Sequence, residues 1–171
     1  MILNHWIELL KRQTPGPVTF DEIVVGHDFG LFSPPDIQTW VALQGFQGPL
    51  CSQLVELHDE GMECFEGCLW AACAEATGKT PRPGGHRWAN AQDRWRVALL
   101  KDAMEAPLTT EALAVVVENI YEKVGCPEDM LALWTRPAPW QKRQPMADRA
   151  AIAAFVAQKA APWQPFLPTA A

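Results

Sequence analysis

The chain has 171 residues, of which 49% are hydrophobic and 20% charged, and it carries a formal net charge of −6 at pH 7. A chain of that length is expected to fold as one domain burying about two-thirds of its unfolded surface, and its composition indicates neither wholesale disorder nor a fibrous protein. An acidic balance disfavours nucleic acid and anionic membranes, so neither is expected as a partner.

In chain order, the signals are helical. The opening MILNHWIELLKR places apolar residues at helical spacing, with no continuous apolar segment and no small-residue cleavage site, so it reads as a helix and not as a signal peptide. No apolar run approaches the roughly 18 to 20 residues of a membrane span. A cytoplasmic location is expected.

Thr19 and Glu22 have the spacing of a capping box, with Gly26 as a stop; Ser33, Pro34, Pro35 and Asp36 then open a helix carrying Ile37, Trp40 and Val41, which fades by Gly45 to Gly48. Pro49 opens a stripe of Leu50, Leu54 and Leu57 that resumes after Gly61 through Phe65, Leu69 and Ala72 until Gly78. This is two helices, or one bent at Gly61. The stretch TPRPGGHR cannot propagate a regular element and reads as the longest internal loop and a flexible joint.

Trp88, Ala91, Trp95, Ala98 and Leu99 mark one face of a helix from about Trp88 to Met104, and Thr109 caps another with Leu113, Val117, Ile120 and Val124 inward. Gly125 ends that helix, Pro127 opens the next, and Glu128 and Asp129 place negative charge at its positive end. Met130, Leu131 and Trp134 pack inward before Pro137 and Pro139 forbid continuation. A last helix spans about Ala147 to Lys159. Only EIVV has strand period, inside a capped helical context. The expected fold is therefore all-α, a bundle of about eight helices in a single domain over residues 1–160, followed by an extended Pro/Trp-containing tail over 161–171.

Catalytic sets are missing. The two serines, Ser33 and Ser52, lie in no nucleophile elbow, and no phosphate-cradling glycine loop is present. The five cysteines, at 51, 64, 68, 73 and 126, suit a reduced compartment better than a disulfide framework. Cys64, Cys68, His58 and His86 are the alternative, a metal-binding module or enzyme. Without a CxxC pair they read instead as small buried hydrophobes and surface histidines, so no metal or cofactor is expected. Among the tryptophans, Trp88, Trp95 and Trp134 have the spacing of core anchors. Trp140 and Trp163 sit in proline-rich segments, where a ring can clamp loop to core or meet a partner.

Charge is lopsided. Between Gln13 and Gly78 there are ten acidic residues and no lysine or arginine, and the rest of the chain is net basic. Glu56, Asp59, Glu60, Glu63 and Glu66 recur every three or four residues, opposite Leu54, Leu57 and Phe65, and are expected to form one carboxylate face. Either arginines from the C-terminal half pair with it, or a basic partner supplies the counter-charge.

The segments WRVALLKDAMEAP and VENIYEKVGCPEDMLALWTRPAP, within residues 88–140, resemble the C-terminal half of a small bacterial all-helical family of unknown function associated with toxin-immunity loci. The resemblance implies that Tyr121, Gly125, Pro127, Glu128 and Asp129 hold a corner of the fold. It brings no catalytic residues and implies an immunity-type inhibitor. The functional expectation is a non-enzymatic protein-binding protein that meets a partner, possibly a basic toxin domain, through Glu56, Asp59, Glu60, Glu63, Glu66, Trp140 and Trp163; a scaffold or adaptor docking by its tail is the other reading.

Overall fold

The structure, a computed structural model, describes residues 4–58 and 63–162. The fold is all-α: eight α-helices and one 3-10 helix, with a single two-stranded sheet, among the described residues. The helices are α1 (His5–Gln13), α2 (Phe20–Asp28), α3 (Pro34–Gln44), α4 (Pro49–Val55), α5 (Phe65–Thr77), α6 (His86–Glu105), α7 (Thr110–Lys123) and α8 (Arg149–Ala160). The chain divides into two compact units, Met1–Glu8 with Pro17–Gln92, and Leu9–Gly16 with Asp93–Ala171. Among the described residues no helix is long and apolar enough to cross a membrane.

The first unit is organised by local caps. Asn4 starts α1, its side chain accepting from the Trp6 N–H at 2.8 Å. The Glu22 carboxylate accepts from both the N–H and the hydroxyl of Thr19 at 2.6 Å, closing the capping box of α2, and Asp36 does the same for Ser33 at the start of α3. α2 runs two residues beyond Gly26, to Asp28. Glu75 caps α4 from a distance, accepting from the N–H groups of Leu50 at 3.2 Å and Cys51 at 2.9 Å. Gly48 makes room for it: a Cβ there would run into the Glu75 carboxylate.

α5 buries Phe65, Leu69, Ala72 and Cys73, an i, i+4, i+7, i+8 stripe that packs on α2 and α4. Full burial of Leu69 alone stabilises by roughly 1.5–3 kcal/mol. Phe20 and Trp40 add to this core, and half-buried Phe46 packs on both, with ring centroids 5.3–5.7 Å apart.

α4 ends at Val55, so residues 56–58 are not helical and the acidic run does not continue one helix. Gln38 Nε2 donates to the carbonyls of Leu54 at 3.0 Å and Leu57 at 2.7 Å, satisfying acceptors that the end of the helix leaves without intrahelical partners.

In the second unit, Trp95 and Leu100 of α6, Leu113 and Val117 of α7, Met130 and Ile152 are buried. Thr109 caps α7, accepting from Ala112 N–H at 3.2 Å. α7 closes with paired bonds from the Cys126 N–H to the Tyr121 carbonyl at 2.8 Å and from the Gly125 N–H to the Glu122 carbonyl at 3.2 Å. Both Gly125 and Cys126 take left-handed backbone angles, so Cys126 is the second residue of the helix stop.

The segment after Pro127 is a 3-10 helix, Glu128–Leu133, where an α-helix was expected. It leads into β1 (Trp134–Thr135), which pairs antiparallel with β2 (Met146–Ala147). Asp129 meets Arg96 at 2.6 Å and Lys159 at 2.8 Å, and Arg96 also binds Asp93. The Asp129 carboxyl sits below its ordinary value: burial opposes this, and the hydrogen bond from Lys159 together with the Arg96 charge outweighs it. Asp148 caps α8, accepting from Ala151 N–H at 3.0 Å.

Candidate functional site

The acidic block sorts into carboxylates that the fold uses and carboxylates that it leaves. Asp21 is gripped by Arg87, whose Nε donates at 2.7 Å; Glu22 and Asp36 close capping boxes; Glu75 caps α4. Among the described residues, Asp28, Glu56, Glu63 and Glu66 form no ion pair. All four are exposed. Asp59, Glu60 and Trp163 lie outside the described residues.

The expected single carboxylate face is not built as a helical stripe. Glu56 caps the C-terminal end of α4, Glu63 stands in the short turn before α5, and Glu66 lies in the first turn of α5. The structure instead joins Glu66 to Asp28, at a cleft of about 650 Å³ in the first unit.

Three walls form this cleft. α2 contributes Val24, His27 and Asp28, α5 contributes Glu66, Trp70, Ala71 and Ala74, and the segment from Thr80 to Trp88 contributes Pro81, Arg82, Pro83 and Trp88. Glu66, Trp70 and Ala74 follow at i, i+4 and i+8, in a row that flanks the buried stripe of α5. Trp70 is 49% exposed. Trp88, read from spacing as a core anchor, is only half-buried; its ring meets Phe29 edge-on at 6.4 Å.

The third wall, expected to be a flexible joint, is tied to the unit by hydrogen bonds. The Thr80 hydroxyl donates to the Trp70 carbonyl at 2.8 Å, and the Arg87 guanidinium, anchored on Asp21, donates to the Lys79 carbonyl at 2.6 Å and the Thr77 hydroxyl at 2.9 Å. A Gly85 N–H to Arg82 carbonyl bond at 2.9 Å closes the turn. The cleft is therefore preformed.

Its electrostatics are unbalanced. Two carboxylates face one guanidinium, that of Arg82, which forms no ion pair with either among the described residues. The Asp28 carboxyl lies above its ordinary value of 3.8, because burial and the neighbouring Glu66 charge both disfavour its ionised form against the opposing pull of His27. His27 is held by its ring contact with Phe65 at 5.5 Å and by Nδ1 lying 3.4 Å from the Phe32 carbonyl oxygen.

The alternative ligand set is not assembled. Among the described residues no three His, Cys, Asp or Glu side chains are grouped so as to hold a metal ion, and His58, Cys64, Cys68 and His86 share no such cluster. His86 faces Asn90, with Nδ1 3.2 Å from its side-chain nitrogen. Burial pushes the Cys73 thiol up to about 11, and burial together with Glu75 does the same for Cys51, leaving both protonated at neutral pH. Trp140 is 83% exposed, in the loop between β1 and β2.

Of the residues lining this cleft, the sequence pattern singled out Glu66 and not Asp28, Trp70 or the prolines of the third wall. One signal was present: a tryptophan outside the apolar stripe of α5, one turn after a glutamate. No protein-family model, curated protein or solved structure matches the chain.

Proposed function

We propose that this chain is a non-enzymatic, cytoplasmic protein-binding protein whose acidic, tryptophan-walled cleft holds a basic segment of a partner. The observation carrying this reading is that Asp28 and Glu66 stand at an aromatic cleft without an ion-pair partner among the described residues. A cation entering there relieves the repulsion that disfavours Asp28 ionisation, and an arginine or lysine stem gains apolar contact and cation–π attraction from indole rings. The volume lies within the range of ligand sites, about 300–1,000 Å³. An inhibitor of a cationic toxin is the concrete form that the sequence resemblance adds.

Isothermal titration with three decapeptides, basic, neutral and acidic, each containing one aromatic residue, tests the reading. The basic peptide alone should bind, with affinity falling as salt rises, and Asp28→Lys/Glu66→Lys should abolish binding while leaving the circular dichroism spectrum unchanged. Equal binding of all three peptides, or none, disposes of it.

A further inference from the structure

The second unit carries a loop whose chemistry complements the cleft. Residues 136–145 connect β1 to β2, and a Gln141 N–H to Ala138 carbonyl bond at 2.8 Å turns the chain at the tip. Trp140 stands there almost bare. From Met130 to Ala147 there is no acidic residue, while Arg136, Lys142 and Arg143 are present. Arg136 is used within the unit, 3.3 Å from Glu118 and over the rings of Tyr121 and Trp134 at 5.5 and 5.0 Å. Lys142 and Arg143 are exposed and form no ion pair among the described residues. The loop thus offers one large ring and two cations, with Pro137, Pro139 and Pro145 limiting the freedom lost on docking.

We propose that this loop of a second copy of the chain occupies the cleft. This rests on the reading of the cleft as a site for a basic segment and names its occupant. Trp140 packs against Trp70, Trp88 and the prolines of the third wall, while Lys142 and Arg143 answer Asp28 and Glu66. The contact joins two different surfaces, so each molecule keeps one loop and one cleft to offer. An external basic partner competes with self-association for the same cleft. Arg82 is the rim group of unfavourable sign.

Sedimentation velocity over a concentration series tests this with three proteins: wild type, the loop variant Trp140→Ser/Lys142→Glu/Arg143→Glu, and the cleft variant Asp28→Lys/Glu66→Lys. Wild type should gain mass with concentration and lose it in high salt, and each variant alone should stay monomeric. An equimolar mixture of the two variants should associate, because one retains the cleft and the other the loop; Arg82→Ala should strengthen wild-type association. A wild type that remains monomeric throughout, or a mixture that does not associate, overturns the proposal. A synthetic peptide of residues 136–145, titrated into the loop variant, separates the two failures. If the peptide binds while wild type is monomeric, only the second-copy assignment falls; if no basic peptide binds, the cleft reading falls with it.

Discussion

Carboxylates are placed in opposite situations in the two units. Around Arg96, which is almost fully buried, Asp93 and Asp129 share a guanidinium and the Lys159 ammonium, and the Phe155 ring lies 5.2 Å from the guanidinium carbon. At the cleft, Asp28 and Glu66 have each other and no ion-pair partner among the described residues. The same residue type is structural in one place and available in the other. The difference shows that a high count of acids along a chain says little about its binding surface until the carboxylates used in caps and bridges are subtracted.

The largest effect is expected where charge is buried. Arg96→Met leaves Asp93 and Asp129 with Lys159 alone, and urea denaturation should register a loss of about 3 kcal/mol, the low end for a broken buried pair because Asp129 is partly exposed. A loss below about 0.5 kcal/mol would place this network among ordinary surface pairs. Asp21→Ala comes next, at about 2 kcal/mol by the same measurement, since it strips Arg87 of a charged hydrogen-bond partner and loosens the third wall of the cleft. It should also weaken binding of a basic peptide, which a purely structural Asp21 remote from the site would not do.

Trp70→Ala turns from stability to binding. The side chain is half exposed, so folding should change little, whereas affinity for a basic aromatic peptide should fall about tenfold, or roughly 1.4 kcal/mol. Unchanged affinity would remove the aromatic wall from the site and leave only its charge.

How much of this was legible depended on the range of the interactions. The capping boxes at Thr19 and Ser33 and the stop at Gly125 were readable because cap and partner lie within five residues of each other. The pairing of Trp134 with Ala147 was not, since a two-residue strand has no period and its partner is supplied across a loop. The end of α4 at Val55 was not legible either, since the side chain that satisfies the Leu54 carbonyl there, Gln38, lies sixteen residues away. The cleft is legible only in part for the same reason. Glu66 and Trp70 follow helical spacing, but Asp28 and the 80–83 segment reach them through tertiary packing.

The smallest expected effect distinguishes the two regions by sign. Asp28 titrates above its unfolded value, so between 3.8 and that raised value the folded state holds more protons than the unfolded one, and stability falls as pH rises through the window. Asp129 titrates below its unfolded value, so its contribution is present above pH 3.8 and is lost as pH falls through the lowered one. Asp28→Asn should therefore be slightly more stable than wild type at neutral pH, an effect that solvent screening of the exposed carboxylate keeps small, with the difference vanishing below pH 3.8. Asp129→Asn should be less stable than wild type at neutral pH, with its deficit shrinking under acid. Thermal melts of both variants from pH 7 to pH 3 resolve the two trends, and parallel curves would mean that Asp28 at the cleft and Asp129 at the bridge stand in like environments.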